Sequence, residues 1–238
     1  MIAWAALAAI GYLCGSIPFG LLLARAHGID IRAHGSGNIG ATNVMRVLGK
    51  ELGLRGRRVG LLCLVLDVAK GLVPTLGAGL AMGVAGQARP ATDDLIWWLI
   101  VMASPVIGHM FSPWLGWRGG KGVATGLGSL LGVFPLLTIP AGGALLVWIA
   151  SILIWRYVSL SSCLAAASLP AWLWLLARLP DADERSGSLV PAFVATLALA
   201  CLVVLRHRGN LGRIMRGSEP RILAAHRSDS SSANSNTD

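Results

Sequence analysis

Charge is scarce in this chain: only 13% of its residues are Asp, Glu, Lys or Arg, against 55% that are apolar. A soluble domain of this size does not need that balance, which is the balance of a lipid-facing surface. Acidic residues are scarcer still, eleven against twenty basic ones, for a formal charge of +9. Paired cysteines are missing. Cys14, Cys63, Cys163 and Cys201 fall singly inside apolar runs, spaced neither for zinc nor for redox work, and read as small hydrophobes. The first apolar run, Ile2 to Ala24, lacks a preceding basic segment and is longer than the apolar part of a secretory leader, so it reads as a first span. No internal repeat is apparent, which weighs against transporters built from duplicated halves.

What is present is a series of apolar runs near or above the roughly 18 to 20 residues that cross a hydrocarbon core. They predict an all-α polytopic membrane bundle with about seven spans, at 2–24, 59–82, 95–114, 121–135, 138–155, 158–178 and 188–205. The fourth is short enough to be a half-span or a strongly tilted helix. Seven crossings gather the 25–58 segment, the 115–121 and 156–158 turns and the C-terminal segment on one side, with sixteen of the twenty basic residues. The other side holds Arg89, Arg178 and Arg185 beside the acids Asp93, Asp94, Asp181, Asp183 and Glu184, and Lys70 falls inside a span. The Lys/Arg excess marks the cytoplasmic face, so the N-terminus is expected outside and the C-terminus inside. That distribution makes the basic charge a property of membrane loops and excludes a nucleic-acid partner. Residues 1–227 are expected to form one transmembrane domain, and the Ser/Asn-rich stretch 228–238 a disordered tail without assigned function.

Three segments on the basic side carry residues capable of chemistry. The first is Gly35-Ser36-Gly37-Asn38-Ile39-Gly40-Ala41-Thr42-Asn43, with Arg46 beyond it. Its first six residues fit G-x-G-x-x-G, but a dinucleotide fingerprint follows a strand, and this follows a membrane span. Two readings remain. Glycines can let backbone N–H groups converge on a phosphate, aided by a helix starting near Thr42, or the segment is a tight connector capped by Ser and Asn. The second segment runs from Gly108-His109 through Arg118-Gly119-Gly120-Lys121-Gly122 to Thr125. Its glycine spacing is not that of a Walker A loop, and Gly122 stands where a magnesium-binding Ser or Thr would be. Trp114 and Trp117 read as interfacial anchors, and His109 as either a structural hydrogen bonder or a site residue. The third segment is Arg206-His207-Arg208-Gly209-Asn210-Leu211-Gly212-Arg213, continuing to Glu219. Adhesion to anionic headgroups explains its arginines, but not a His and an Asn three apart on one helical face. Asp67 and Lys70, spaced i, i+3 inside a span, read as a structural ion pair or as catalytic groups. Three basic, donor-rich, glycine-punctuated segments on one membrane face call for an anionic ligand.

Those three segments resemble the signature motifs of the bacterial acyl-phosphate:glycerol-3-phosphate acyltransferase family. Gly15 to Gly20, Asp67 with Lys70-Gly71, and Arg156 to Leu160 extend the likeness in order along nearly the whole chain. Trp117-Arg118 and Leu211-Gly212 depart from the family's usual pattern. The resemblance implies a seven-helix inner-membrane enzyme with a cytoplasmic active site and neither metal nor coenzyme. Its reaction would pass a fatty acyl group from acyl phosphate to the 1-hydroxyl of glycerol 3-phosphate, giving lysophosphatidic acid and phosphate. No His begins the H-x-x-x-x-D motif of acyl-CoA-dependent enzymes, which favours the acyl-phosphate donor. Carried over by position, Ser36, His207 and Asn210 would be catalytic. Gly35, Gly37, Asn38, Thr42, Asn43, Arg46, Gly120, Lys121, Gly122 and Ser159 would bind substrate, with membrane lipids as the surrounding partner. Arg46 and Lys121 would hold phosphate charge, Ser36 and Asn210 would orient the hydroxyl or the oxyanion, and His207 would be a hydrogen bonder or proton carrier. The competing readings are an organic-phosphate transporter and a membrane scaffold with basic tails.

Overall fold

The structure, a computed structural model, describes residues 1–178 and 188–222. The acidic group Asp181, Asp183 and Glu184, with Arg185, and the expected tail 228–238 lie outside the described residues. Within them the chain forms ten α-helices and two short 3-10 turns, and no strand.

The first apolar run is one span broken in two, α1 (Ile2–Ser16) and α2 (Phe19–Arg25). Pro18 has no N–H to continue the ladder, so carbonyls are released at the break. Buried side chains take them up: the Ser112 hydroxyl donates to Ser16 O at 2.7 Å and Lys70 Nζ to Ile17 O at 2.9 Å. Helix α3 (Ala41–Leu52) is amphipathic and buries Asn43, Val44, Val47 and Leu48 against a small apolar core with Leu21, Ala24, Ile31 and Cys63. Gly53, at φ +57°, turns the chain into α4 (Leu54–Ala81), a helix of 28 residues. Helix α5 (Thr92–Met110) is the most enclosed of the long helices, and its buried Trp98 donates to Thr75 O of α4 at 2.9 Å. Helices α6 (Val123–Gly132), α7 (Thr138–Trp155), α8 (Val158–Ala177), α9 (Val190–Arg206) and α10 (Arg208–Met215) complete the order. α9 and α10 meet at an angle of 55° around His207.

Lipid tails are as apolar as leucine, so helices in a bilayer associate by close packing and hydrogen bonds. Glycine supplies that packing here. A Cβ at Gly71 of α4 would land on the Thr125 carbonyl of α6, and one at Gly128 of α6 on the Val68 carbonyl of α4. α1 and α5 meet the same way, with Gly15 against the Pro105 backbone and Gly108 against the Tyr12 carbonyl. Among the described residues, five segments are long and apolar enough to cross a membrane, and six if the bent pair α9–α10 counts as one. α6, with ten residues, rises about 15 Å, half the hydrocarbon thickness. It brings the apolar segments to seven, and the residues of its N-terminal end line the cavity described below.

Candidate functional site

One cavity of about 280 Å³ opens between α3, α6, α8 and α10. Three helices begin at its wall. Gly40 to Thr42 open α3, Gly122 to Ala124 open α6, and Val158 and Ser159 open α8. The first N–H groups of a helix have no partner within it and carry the positive end of its dipole, so three such ends turn this cavity toward anions. No N-cap side chain satisfies those N–H groups in any of the three. Local backbone sets two of the starts. Gly122 caps α6 in the left-handed region at φ +77°, and Arg156 ends α7 there at φ 62°, two residues before α8.

The glycine-rich segment before α3 is shaped by Asn43. Its Oδ1 accepts from Ser36 N at 2.9 Å, and its Nδ2 faces the carbonyls of Asn38, His34 and Ile31 at 2.9, 3.1 and 3.4 Å. Asn43 is 2% exposed and spends its amide on the loop, so its part in the site is to fix the backbone. Gly35 and Gly37 take positive φ of 62° and 69°, and a Cβ at Gly35 would strike Asn43 Oδ1. The result presents Ser36, Asn38 and Thr42 to the cavity, with Arg46 one turn further along α3. Among the described residues, no carboxylate lies within 4 Å of Arg46.

Opposite stand Lys121 and the third segment. Lys121 Nζ donates to Asn210 Oδ1 at 2.6 Å, and Asn210 Nδ2 to Glu219 Oε1 at 2.6 Å. Ser159 Oγ, from α8, donates to the same Glu219 oxygen at 2.8 Å, while Arg213 Nε holds the other at 2.8 Å. Burial alone would raise the Glu219 carboxyl, but these three hydrogen bonds and the arginine's charge outweigh it and hold it below its ordinary value. Burial draws Lys121 down to about 8, against the pull of Glu219 and with the help of Arg213 and Arg46. His207 is 2% exposed, and its Nδ1 lies 2.8 Å from Val203 O. A carbonyl only accepts, so Nδ1 carries the proton and Nε2 is left as an acceptor. Burial, then the Lys121 charge, lowers His207 to about 4, so its imidazole is neutral near pH 7.

Ser36, Asn38, Thr42, Asn43 and Arg46 line the cavity, as do Lys121, Gly122, Ser159, His207 and Asn210. Gly35, Gly37 and Gly120 do not. They act on the backbone that carries their neighbours, Gly120 by leaving room for the His109 ring. Sequence reasoning missed Glu219 and Arg213 as wall residues, along with the dipole ends of α6 and α8. The available signal was that Glu219 is the one acid between Arg206 and Ile222. Asp67 and His109 line the deep wall, 3.9 Å apart, and Asp67 is ion-paired with Lys70 at 2.8 Å. Among the described residues no group of His, Cys, Asp and Glu is arranged to hold a metal ion. A second, apolar cavity of about 80 Å³ lies between α6, α7, α8 and α9. It shares Gly122, Val123, Leu127, Leu145, Trp148 and Ser162 with the polar one, so the two adjoin.

The family model for glycerol-3-phosphate acyltransferase matches residues 5–217. The glycerol-3-phosphate acyltransferase of Geobacter sulfurreducens is 44% identical over 218 residues, covering 92% of this chain and 97% of that one. That of Thermosynechococcus vestitus is 43% identical over 220 residues, covering 92% and 95%. Among solved structures, the glycerol 3-phosphate form of PlsY (YgiH), an integral membrane glycerol 3-phosphate acyltransferase, superposes with a TM-score of 0.74 at 33% identity, covering 92% of this chain and 95% of that one. The lysophosphatidic acid form gives a TM-score of 0.73.

Proposed function

Because the chain belongs to the glycerol-3-phosphate acyltransferase family, we propose that its polar cavity holds glycerol 3-phosphate and transfers to it a fatty acyl group from acyl phosphate. Family membership decides for an enzyme over a transporter or a scaffold. The observation that carries the finer reading is the convergence of Arg46, Lys121 and three helix N-termini on one cavity that adjoins an apolar one. The polar part suits two phosphates, and the apolar part suits a fatty chain.

The reaction follows from that arrangement. The 1-hydroxyl oxygen of glycerol 3-phosphate attacks the acyl carbonyl carbon, a tetrahedral oxyanion forms, and the bond from carbon to the phosphate oxygen breaks. Lysophosphatidic acid and inorganic phosphate result. Phosphate is already a good leaving group, so the protein's task is to align two anions and stabilise the oxyanion. Arg46 offers a bidentate fork and Lys121 a point charge, while Ser36 and Asn210 orient the hydroxyl or the oxyanion. His207 Nε2 accepts a hydrogen bond from the attacking hydroxyl. With His207 near 4, a phosphate with a second pKa of about 6 is the stronger base, so the hydroxyl proton passes to a phosphate oxygen. The excess of basic residues on this side supports a site that faces the cytoplasm from a bacterial inner membrane.

Purified protein in detergent, given glycerol 3-phosphate with acyl phosphate, acyl-CoA or acyl carrier protein in parallel, is expected to form a lysolipid with acyl phosphate alone. Equal or faster turnover with acyl-CoA would overturn the donor assignment.

A further inference from the structure

Arg206 ends α9 without lining the cavity, yet its side chain is committed inside the protein. Nη2 lies 2.9 Å from Met110 O, 3.1 Å from Gly119 O and 2.8 Å from Gly120 O, and Nε lies 3.2 Å from Gly120 O. The guanidinium also stands over the Phe111 ring, 5.2 Å from its centre. One side chain thus fastens the end of α9 to the last carbonyl of α5 and to two carbonyls of the turn that precedes Lys121. From the other side, His109 fixes the same turn: its carbonyl accepts from Gly120 N at 3.0 Å, and its ring occupies the space a Gly120 Cβ would need.

The sequence neighbours give this contact its consequence. Gly120 precedes Lys121, and Arg206 precedes His207. The direct link between these two cavity walls is the hydrogen bond from Lys121 Nζ to Asn210 Oδ1. A phosphate arriving at Lys121 competes for that bond, so the backbone must keep the walls in register while substrate is bound. We propose that Arg206 is a positioning residue, which acts through Gly120 to hold Lys121 opposite His207 and Asn210. This rests on the reading of Lys121 as a phosphate-binding residue. Lysine would keep the charge but not the planar fork that reaches several carbonyls at once.

The test is a double-mutant cycle with KM for glycerol 3-phosphate, kcat and thermal midpoint measured for each variant, using the donor that the parallel assay identifies. Arg206→Gln should raise KM roughly 10- to 100-fold, with kcat reduced less, because a displacement on the order of 1 Å at a binding group has that scale of effect. Arg206→Lys should fall between it and the wild type, and remains readable if the Gln variant does not fold. In the Lys121→Ala background, Arg206→Gln should add no more than about 3-fold, since the residue it positions is gone. The same factor in both backgrounds, or a lowered thermal midpoint with unchanged KM, would overturn the proposal. An unchanged KM for Lys121→Ala alone would instead remove the reading of Lys121, and this inference with it.

Discussion

Lys121, the proposed phosphate ligand, has a pKa drawn down to about 8 by burial and by the neighbouring arginines. It is therefore charged at pH 7 and loses its proton as pH rises through 8, when its attraction for a phosphate dianion goes too. Since kcat/KM reports groups of the free enzyme, kcat/KM for glycerol 3-phosphate should fall above pH 8. Lys121→Arg should carry that decline upward by more than about one pH unit, because arginine does not deprotonate in this range. A decline unmoved by the substitution would assign it to another group. The chemistry-bearing residues were legible because Arg, Lys, His, Asn and Ser stand out in an apolar chain. Their division of labour was not. Asn43 reads as a donor for substrate, but folding turns its amide onto the carbonyls of Ile31, His34 and Asn38. Glu219 reaches Ser159 only because the segment after α10 folds back to a residue sixty positions earlier in the chain, and no local pattern encodes that return.

Helix α6 is the element that makes the site possible. Its first turn, with Lys121 and Gly122 just before it, forms the wall of the cavity that faces α3 and α10. Its place depends on α4, against which Gly71 and Gly128 let backbone touch backbone. Gly71→Val would drive a branched side chain onto the Thr125 carbonyl, an overpacking that costs about 1–3 kcal/mol or more. A thermal midpoint lowered by roughly 3 °C or more is the expected outcome, by the scale of about 2–4 °C per kcal/mol for chains of this length. An unchanged midpoint would show that α4 and α6 are not held by this contact. Apolar run length located the elements well: α7 runs over Thr138–Trp155 and α8 over Val158–Ala177, against expectations of 138–155 and 158–178. It did less well where the helix outruns the apolar stretch. α4 starts at Leu54, five residues before the expected span, because Arg55, Arg57 and Arg58 are exposed and continue the helix beyond it. The break at Pro18 was hidden inside a continuous apolar run, although proline was the signal for it.

At the scale of the whole molecule, an all-helical membrane bundle was legible from composition, since a bilayer admits helices or closed barrels and the runs have helical length. The grouping of basic residues by loop also assembled the site before any contact was known. Gly35–Arg46, Gly108–Thr125 and Arg206–Glu219 are far apart in the chain, yet ten of the thirteen site residues expected from them and from the α7–α8 turn meet in one cavity. Sequence could describe the ligand only as an anion. The geometry adds a direction, from Arg46 and Lys121 at the polar cavity toward the apolar cavity beside α7. The most direct test of this account is a crystal structure of the chain with glycerol 3-phosphate bound. The phosphate should lie within hydrogen-bonding distance of Arg46 and Lys121, with the 1-hydroxyl facing His207 and Asn210. Ligand density elsewhere, or a phosphate turned away from both cations, would contradict it.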